Sequence, residues 1–249
     1  MIAIENLVKK YGAFTAVDGI SLRVEPGEIH GFLGPNGAGK TTTIRMIAGL
    51  LQPTAGRVMV NGKDMSGDPE TAKTSLGFIP DRPYIYEKLT AFEFLRFHGG
   101  LYDIGDGDIA GRVHEMLDLF ELRQWENELV ESFSHGMKQR LVMAAAFLHR
   151  PRAVVVDEPM VGLDPRGARL VKDVFRRMSE RGVAILMSTH TLEVAEEMSH
   201  RISIINHGRL VAQGTVADVR GLAGGEDHLT SVFLKLTGGS ALQEIDEVV

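Results

Sequence analysis

Two short segments carry residue types that could act on a polyphosphate. Gly34-Pro35-Asn36-Gly37-Ala38-Gly39-Lys40-Thr41 has the spacing G-x-x-x-x-G-K-[ST], set between an apolar run and a helical stretch ending near Gly49. Glycines let the chain curl so that successive N–H groups point inward, and the following helix adds the positive end of its dipole. In such a nest Lys40 reaches the β- and γ-phosphates, Thr41 offers a hydroxyl to Mg²⁺, and Thr42 donates to the α-phosphate. Val154-Val155-Val156-Asp157-Glu158 is the second segment, an apolar strand delivering two carboxylates at its carboxyl end, where α/β sheets bind ligands. Neighbours on a strand point apart. Asp157 can therefore hold the metal while Glu158, released from the alternation, faces an attacking water. Singly, an ordinary Gly-rich turn and a solvated strand end would account for them. Together, and in this order, they favour phosphate chemistry.

Such groups need a sheet to carry them. Short apolar runs predict strands at Ser21 to Val24, Glu28 to Leu33 and, with alternation, Arg57 to Val60, followed by a tight turn at Asn61-Gly62. From about Leu89 to Leu129 the pattern turns helical, with Phe92, Leu95, Val113, Leu117 and Phe120 spaced for apolar faces and no proline between them. Val154 to Val156 and Val183 to Met187 are almost wholly apolar, as central parallel strands covered on both faces are. Arg201 to Ile205 and Arg209 to Gln213 predict a closing hairpin around Asn206-His207-Gly208, and Leu229 to Leu236 has the spacing of a terminal helix. The core is thus predicted to be α/β.

Composition removes several function classes. A formal charge of −6 gives no general attraction to nucleic acid or anionic lipid, so any phosphate must be held locally. The chain has no cysteine, which excludes disulfides and thiolate metal sites and fits a reducing compartment. The longest apolar run, Leu141 to Leu148, is less than half of the roughly 20 residues a spanning helix needs, and Met1 to Lys10 lacks a signal-peptide pattern. The expectation is one compact, soluble, cytoplasmic unit.

Further motifs follow in a set order. Ser134-His135-Gly136-Met137-Lys138-Gln139-Arg140 precedes the Asp157 strand, and by itself reads only as an N-cap opening a helix. Gly162-Leu163-Asp164-Pro165 and Ser188-Thr189-His190 come after it, and Tyr11 lies near the start. Across nearly the whole chain this order resembles the ABC ATPase family. The resemblance implies an α/β fold, a P-loop NTPase core with a mostly parallel sheet, an antiparallel β subdomain and a helical subdomain over about 88–136. It implies an ATPase domain over 1–220 and a C-terminal extension over 221–249. For ATP it implies Tyr11 stacking on adenine, Val17 beside it, and Asn36, Gly37, Ala38, Gly39, Lys40, Thr41 and Thr42 round the phosphates. Lys40, Glu158 and His190 would be catalytic, and Thr41, Asp81 and Asp157 would serve Mg²⁺. Ser134, His135, Gly136 and Asp164 would meet the ATP of a second copy in a head-to-tail dimer, homomeric or heteromeric. The partners implied are transmembrane permease subunits, with the chain peripheral on the inner face of the membrane.

Two segments depart from the family pattern. Asp81, in Gly77-Phe78-Ile79-Pro80-Asp81-Arg82-Pro83, stands where glutamine is usual, a shorter group that could still accept from a Mg²⁺-bound water. His135 stands where the signature's first glycine is usual, and Met137 replaces its glutamine. The imidazole either restricts backbone approach to phosphate or, protonated, adds positive charge. Three functions follow: a transport ATPase, with Gly77 to Pro80 and Val232 to Gly238 resembling exporter-associated subunits; a nucleotide-gated regulatory module with little turnover; and an ATPase acting on DNA or ribosomes. Glu158 and His190 favour the first over the second, and the acidic balance and missing coiled coil disfavour the third.

Overall fold

The structure is a computed structural model that describes residues 1–82, 84–222 and 229–238. Much of the 221–249 extension and Pro83 of the Asp81 segment lie outside the described residues. The chain opens with a hairpin, β1 (Ile2–Tyr11) and β2 (Phe14–Val24), then a wholly buried strand, β3 (Ile29–Leu33), which leads into α1 (Lys40–Ile47). β4 (Ala55–Val60) and β5 (Lys63–Asp64) follow, then α2 (Pro69–Thr74) and β6 (Leu76–Ile79). Three helices come next, α3 (Ala91–Gly100), α4 (Asp106–Leu119) and α5 (His135–Leu148). The remainder alternates: β7 (Ala153–Asp157), α6 (Pro165–Glu180), β8 (Ala184–Thr189), α7 (Leu192–Met198), β9 (Arg201–Asn206), β10 (Arg209–Thr215), α8 (Val216–Gly221) and α9 (Leu229–Thr237).

Two sheets result. A four-stranded antiparallel sheet runs β2-β1-β4-β5, and a six-stranded sheet runs β10-β9-β3-β8-β7-β6, parallel except for β10. β3, β7 and β8 are buried at every position, because helices cover both faces of a parallel sheet. The predicted tight turns form where the sequence places them. Asn61-Gly62 and His207-Gly208 all have positive φ, the pairing that matches strand twist in a two-residue hairpin.

Two expectations change. The sequence reading did not foresee β1, because its alternation slips: the register shifts between Ile4 and Leu7 and again before Lys9, with Asn6 at φ 47°. The helical region is not one run. α3 stops at Gly99-Gly100, Asp103 turns with φ 52°, and the segment after α4 is short 3-10 turn rather than α-helix. At Gly99 the helices approach closely: a Cβ there would lie 1.9 Å from Ile109 Cδ1 of α4, which would have to move aside. Phe94, Leu95, Val113, Leu117 and Phe120 join α5 in the larger apolar cluster. The terminal helix forms as α9 and buries Leu229 and Val232 against Ile204 and Val219.

Candidate active site

Register decides what meets at the sheet's carboxyl edge. Leu33 of β3 pairs with Thr189 of β8, Ser188 with Asp157 of β7, and Val156 with Ile79 of β6. Four adjacent strands therefore release Gly34, His190, Glu158 and Asp81 on one edge, two of them around the β3 crossover where such sheets bind ligands.

The loop between β3 and α1 can curl only because of its glycines. Gly37 and Gly39 have φ of 79° and 111°, and a Cβ at Gly39 would sit 2.7 Å from the Ala16 carbonyl. The loop is buttressed from outside by Gly208, whose N–H donates to the Ala38 carbonyl at 2.9 Å. Its concave side encloses Lys40, whose Nζ donates to the carbonyls of Gly34 (2.6 Å) and Pro35 (3.2 Å). Burial pushes the Lys40 pKa down, against the opposing pull of Glu158 and Asp157. Lys40 thus lies within the field of both carboxylates. α1 has no side-chain N-cap, so its first N–H groups have no carbonyl within the helix and face the loop's mouth, where Asn36, Gly37 and Thr41 are exposed.

Asp157 is held from two sides. Thr41 Oγ1 donates to its Oδ2 at 3.2 Å, and Ser188 Oγ, from the neighbouring strand, donates to Oδ1. The donors are a hydroxyl and a carboxylate, oxygen only. Among the described residues no group of three or more His, Cys, Asp or Glu gathers to form a protein-only metal cage. That sparse set fits Mg²⁺, which keeps several waters and takes the rest of its shell from phosphates.

Glu158 does not continue β7. Its φ is +52°, a conformation a non-glycine residue adopts at a cost of about 1–3 kcal/mol, and its N–H donates to the Ser188 carbonyl at 3.2 Å. The turn swings its carboxylate to His190, whose Nδ1 lies 2.9 Å from Oε1. His190 is well exposed, whereas Glu158 is mostly covered. A carboxylate and an imidazole in contact, beside a buried ammonium and an Asp–Thr pair, can orient a water and accept its proton.

The remaining residues sort clearly. Tyr11 ends β1, half exposed, with Lys9 Nζ 5.2 Å from its ring centroid. Val17, expected against the nucleotide, is fully buried; its Cγ2 lies 3.5 Å from where a Gly39 Cβ would stand, so it supports the loop from beneath. Thr42 is half-buried on α1. Asp81 is exposed two residues beyond β6 and makes no hydrogen bond or ion pair among the described residues.

Ser134, His135, Gly136 and Asp164 form a second group. Ser134 Oγ caps α5 by accepting from Met137 N at 3.3 Å, and Asp164 Oδ1 caps α6 by accepting from Gly167 N at 2.8 Å. His135 rests its ring on Gly162, where an added Cβ would approach Nδ1 to 2.5 Å, and a Cβ on Gly136 would meet the Gly162 carbonyl at 3.3 Å. The His135 ring is therefore placed against this loop, which no local signal announced. No hydrogen bond or ion pair among the described residues joins this group to the Lys40 set. Ser188, Lys9 and Gly208 are contributors whose roles were not assigned from sequence. Ser188 and Gly208 lay within segments already singled out, the Ser188-Thr189-His190 motif and the Asn206-His207-Gly208 turn.

The chain as a whole is similar to known proteins. The ABC transporter family profile matches residues 17–161. The linearmycin resistance ATP-binding protein LnrL of Bacillus subtilis (strain 168) is 37% identical over 238 residues, spanning 96% of this chain and 76% of that protein. The Nod factor export ATP-binding protein I of Paraburkholderia xenovorans (strain LB400) is 36% identical over 86% of this chain and 70% of its own. A solved structure of the ATP-binding subunit of an ABC transporter superposes with a TM-score of 0.89 at 32% identity, covering 95% of this chain and 99% of that one.

Proposed function

The chain belongs to the ABC transporter family as an ATP-binding, ATP-hydrolysing subunit, and we propose that it powers export by pairing head to tail with a second such subunit. The observation that carries this is the contact of Glu158 with His190, made by a backbone turned out of β7 beside the Asp157–Thr41 pair.

In this reading the β3–α1 loop wraps the triphosphate with the amides of Asn36, Gly37, Ala38 and Gly39 and the start of α1. Lys40 exchanges its loop carbonyls for β- and γ-phosphate oxygens, Thr42 takes the α-phosphate, and the Tyr11 ring stacks on adenine. Thr41 and Asp157 would hold Mg²⁺, with Asp81 accepting from its water, and the ion would neutralise charge on the β- and γ-phosphates. Glu158 draws the proton from the attacking water, and His190 fixes both that water and the γ-phosphate. Ser134, His135, Gly136 and Asp164 meet the ATP bound by the partner, so closing the pair completes each site. A second group of anion-binding elements, unconnected to the first within one chain, is what such a sandwich requires.

No described helix is long and apolar enough to cross a membrane. In this reading the transport path belongs to separate transmembrane permease subunits, which keep this chain on the inner face of the membrane, and the description of its relatives as ATP-binding proteins supports it. Resistance and export in the names of its relatives support outward transport. The same reading divides the chain into an ATPase domain over 1–220, with a helical subdomain over about 88–136, and an extension over 221–249. Glu158→Gln should keep ATP binding, slow hydrolysis by about 10²- to 10⁴-fold and accumulate an ATP-bound dimer in size-exclusion chromatography. Equal hydrolysis by the wild type and this variant would overturn the assignment.

A further inference from the structure

His190 meets Glu158 from an exposed position, so its place depends on the backbone that carries it, β8 on one side and α7 on the other. α7 spans Leu192–Met198, too short to hold its shape alone, and its N-cap Thr191 makes no side-chain cap bond. Something else must fix it. Ala195 and Met198 are buried beneath it, and two consecutive carboxylates brace its flanks. Neighbours on a helix point about 100° apart, and these two reach different elements. Glu197 pairs with Lys172 and, at 2.9 Å, with Arg176 on α6. Glu196 Oε1 accepts from Arg220 in the last turn of α8 (Nη2 2.9 Å, Nε 3.1 Å) and from the backbone N–H of Leu229 at 3.1 Å. Leu229 is the first residue of α9 and is fully buried.

The two braces are unequal. The Glu197 side chain is 46% exposed, and exposed pairs contribute little. Glu196 is 22% exposed and also satisfies a backbone donor at a helix start. We propose that Glu196 is a positioning residue for ATP hydrolysis: it ties α7 to the α8–α9 end of the chain and thereby holds His190 against Glu158. This rests on the function proposed above. It makes the C-terminal helix part of the hydrolytic machinery, since displacing α9 releases α7.

The test is steady-state and single-turnover hydrolysis by Glu196→Ala and Glu196→Gln, alone and with His190→Ala. Misplacement of a site group by about 1 Å can cost on the order of a hundredfold in rate. Glu196→Ala should lower kcat roughly tenfold, because α7 stays seated on its apolar face, and leave KM for ATP within about twofold. Glu196→Gln should recover most of the loss, because its carbonyl still accepts from Leu229 and Arg220. In the His190→Ala background Glu196→Ala should change the residual rate less than about twofold, the non-additivity of two residues acting through one. An unchanged kcat in Glu196→Ala overturns the proposal. So does a loss in which kcat, KM and thermal midpoint move together without rescue by glutamine, or one that persists in full without His190. Failure of the wild-type chain to bind ATP in equilibrium dialysis would instead remove the functional reading and this inference with it. ATP binding intact with Glu196→Ala fully active would remove this inference alone.

Discussion

Both edges of the six-stranded sheet bury polar side chains, and they direct them oppositely. At the amino edge the groups close on one another. His30 reaches Glu28 Oε1 at 2.9 Å and Ser203 Oγ at 2.8 Å, and Glu28 Oε2 accepts from Glu25 N at 2.8 Å. Ile29 N donates to His200 Nδ1 at 2.9 Å, and His149 Nε2 donates to the Leu76 carbonyl at 3.1 Å. Each of these bonds joins strands, or the segments entering them. At the carboxyl edge Lys40, Asp157 and Ser188 are equally buried but lead outward, through Thr41 and His190, to groups that are exposed. Burial therefore does not single out the histidine proposed to act. The buried imidazole, which has a carboxylate on one nitrogen and a serine on the other, is spent inside the sheet. The exposed one touches a carboxylate on a strained backbone and is the one the proposed mechanism uses.

The comparison is most sharply broken or upheld at Lys40. Lys40→Ala should raise the Kd for ATP by about a hundredfold or more, the scale of truncating a buried hydrogen-bonded charge that meets an opposite one. Isothermal titration with a non-hydrolysable ATP analogue measures it, and near wild-type affinity would mean the loop does not hold the phosphates through this side chain.

The amino edge should instead respond to acid. Burial pushes the His149 pKa down to about 4, only partly opposed by the Leu76 carbonyl, whereas an unfolded histidine titrates near 6.5. As pH falls, the unfolded chain takes up this proton first. The resulting stability is complete above about pH 6.5, is lost progressively towards pH 4, and is level below that. The full loss is at most about 3 kcal/mol. Urea unfolding of wild type and His149→Gln across that range isolates the group, because other titrations cancel in the difference. Parallel stability curves for the two proteins would show that His149 is not held neutral.

What was legible in the sequence was what is local. The loop at 34–41, the carboxylates ending β7 and the turns at Asn61-Gly62 and His207-Gly208 each need only neighbouring residues to declare themselves. β1 was hidden because bulges break the period that reveals a strand, and the α3–α4 break because it turns at Asp103, a non-glycine residue at positive φ. Val17 is set near the nucleotide only by the family resemblance, and whether its side chain faces a ligand or the underside of the loop depends on how β2 crosses residues 38–39. The Ser188–Asp157 bond, His135 on Gly162 and the Glu196 brace are all long-range pairs. Local pattern and spacing do not reveal which distant partners meet, even where each partner is conspicuous.

A smaller effect is expected at His30. His30→Ala leaves Glu28 and Ser203 buried with a lost partner each, which should cost about 2 kcal/mol in chemical denaturation. ATP turnover at 25 °C should stay within about twofold, since the folded fraction remains near one. A large loss of turnover without a loss of stability would mean the two edges are not separate in function.

The smallest effect separates strain from chemistry. Glu158 and His207 are both non-glycine residues at positive φ, 52° and 46°, one at the site and the other in the β9–β10 turn. Glycine adopts such a backbone freely, and this relief is partly offset by the extra freedom glycine gains when unfolded. Each glycine substitution should therefore stabilise the chain by no more than about 1 kcal/mol. Their activities should diverge: Glu158→Gly loses hydrolysis because the group that faces water is gone, whereas His207→Gly keeps it. Thermal unfolding of both, with ATPase rates alongside, decides the matter. Stabilisation at 207 without any at 158 would mean that the Glu158–His190 contact already offsets the strained backbone, so that the site is held by that pair rather than against it.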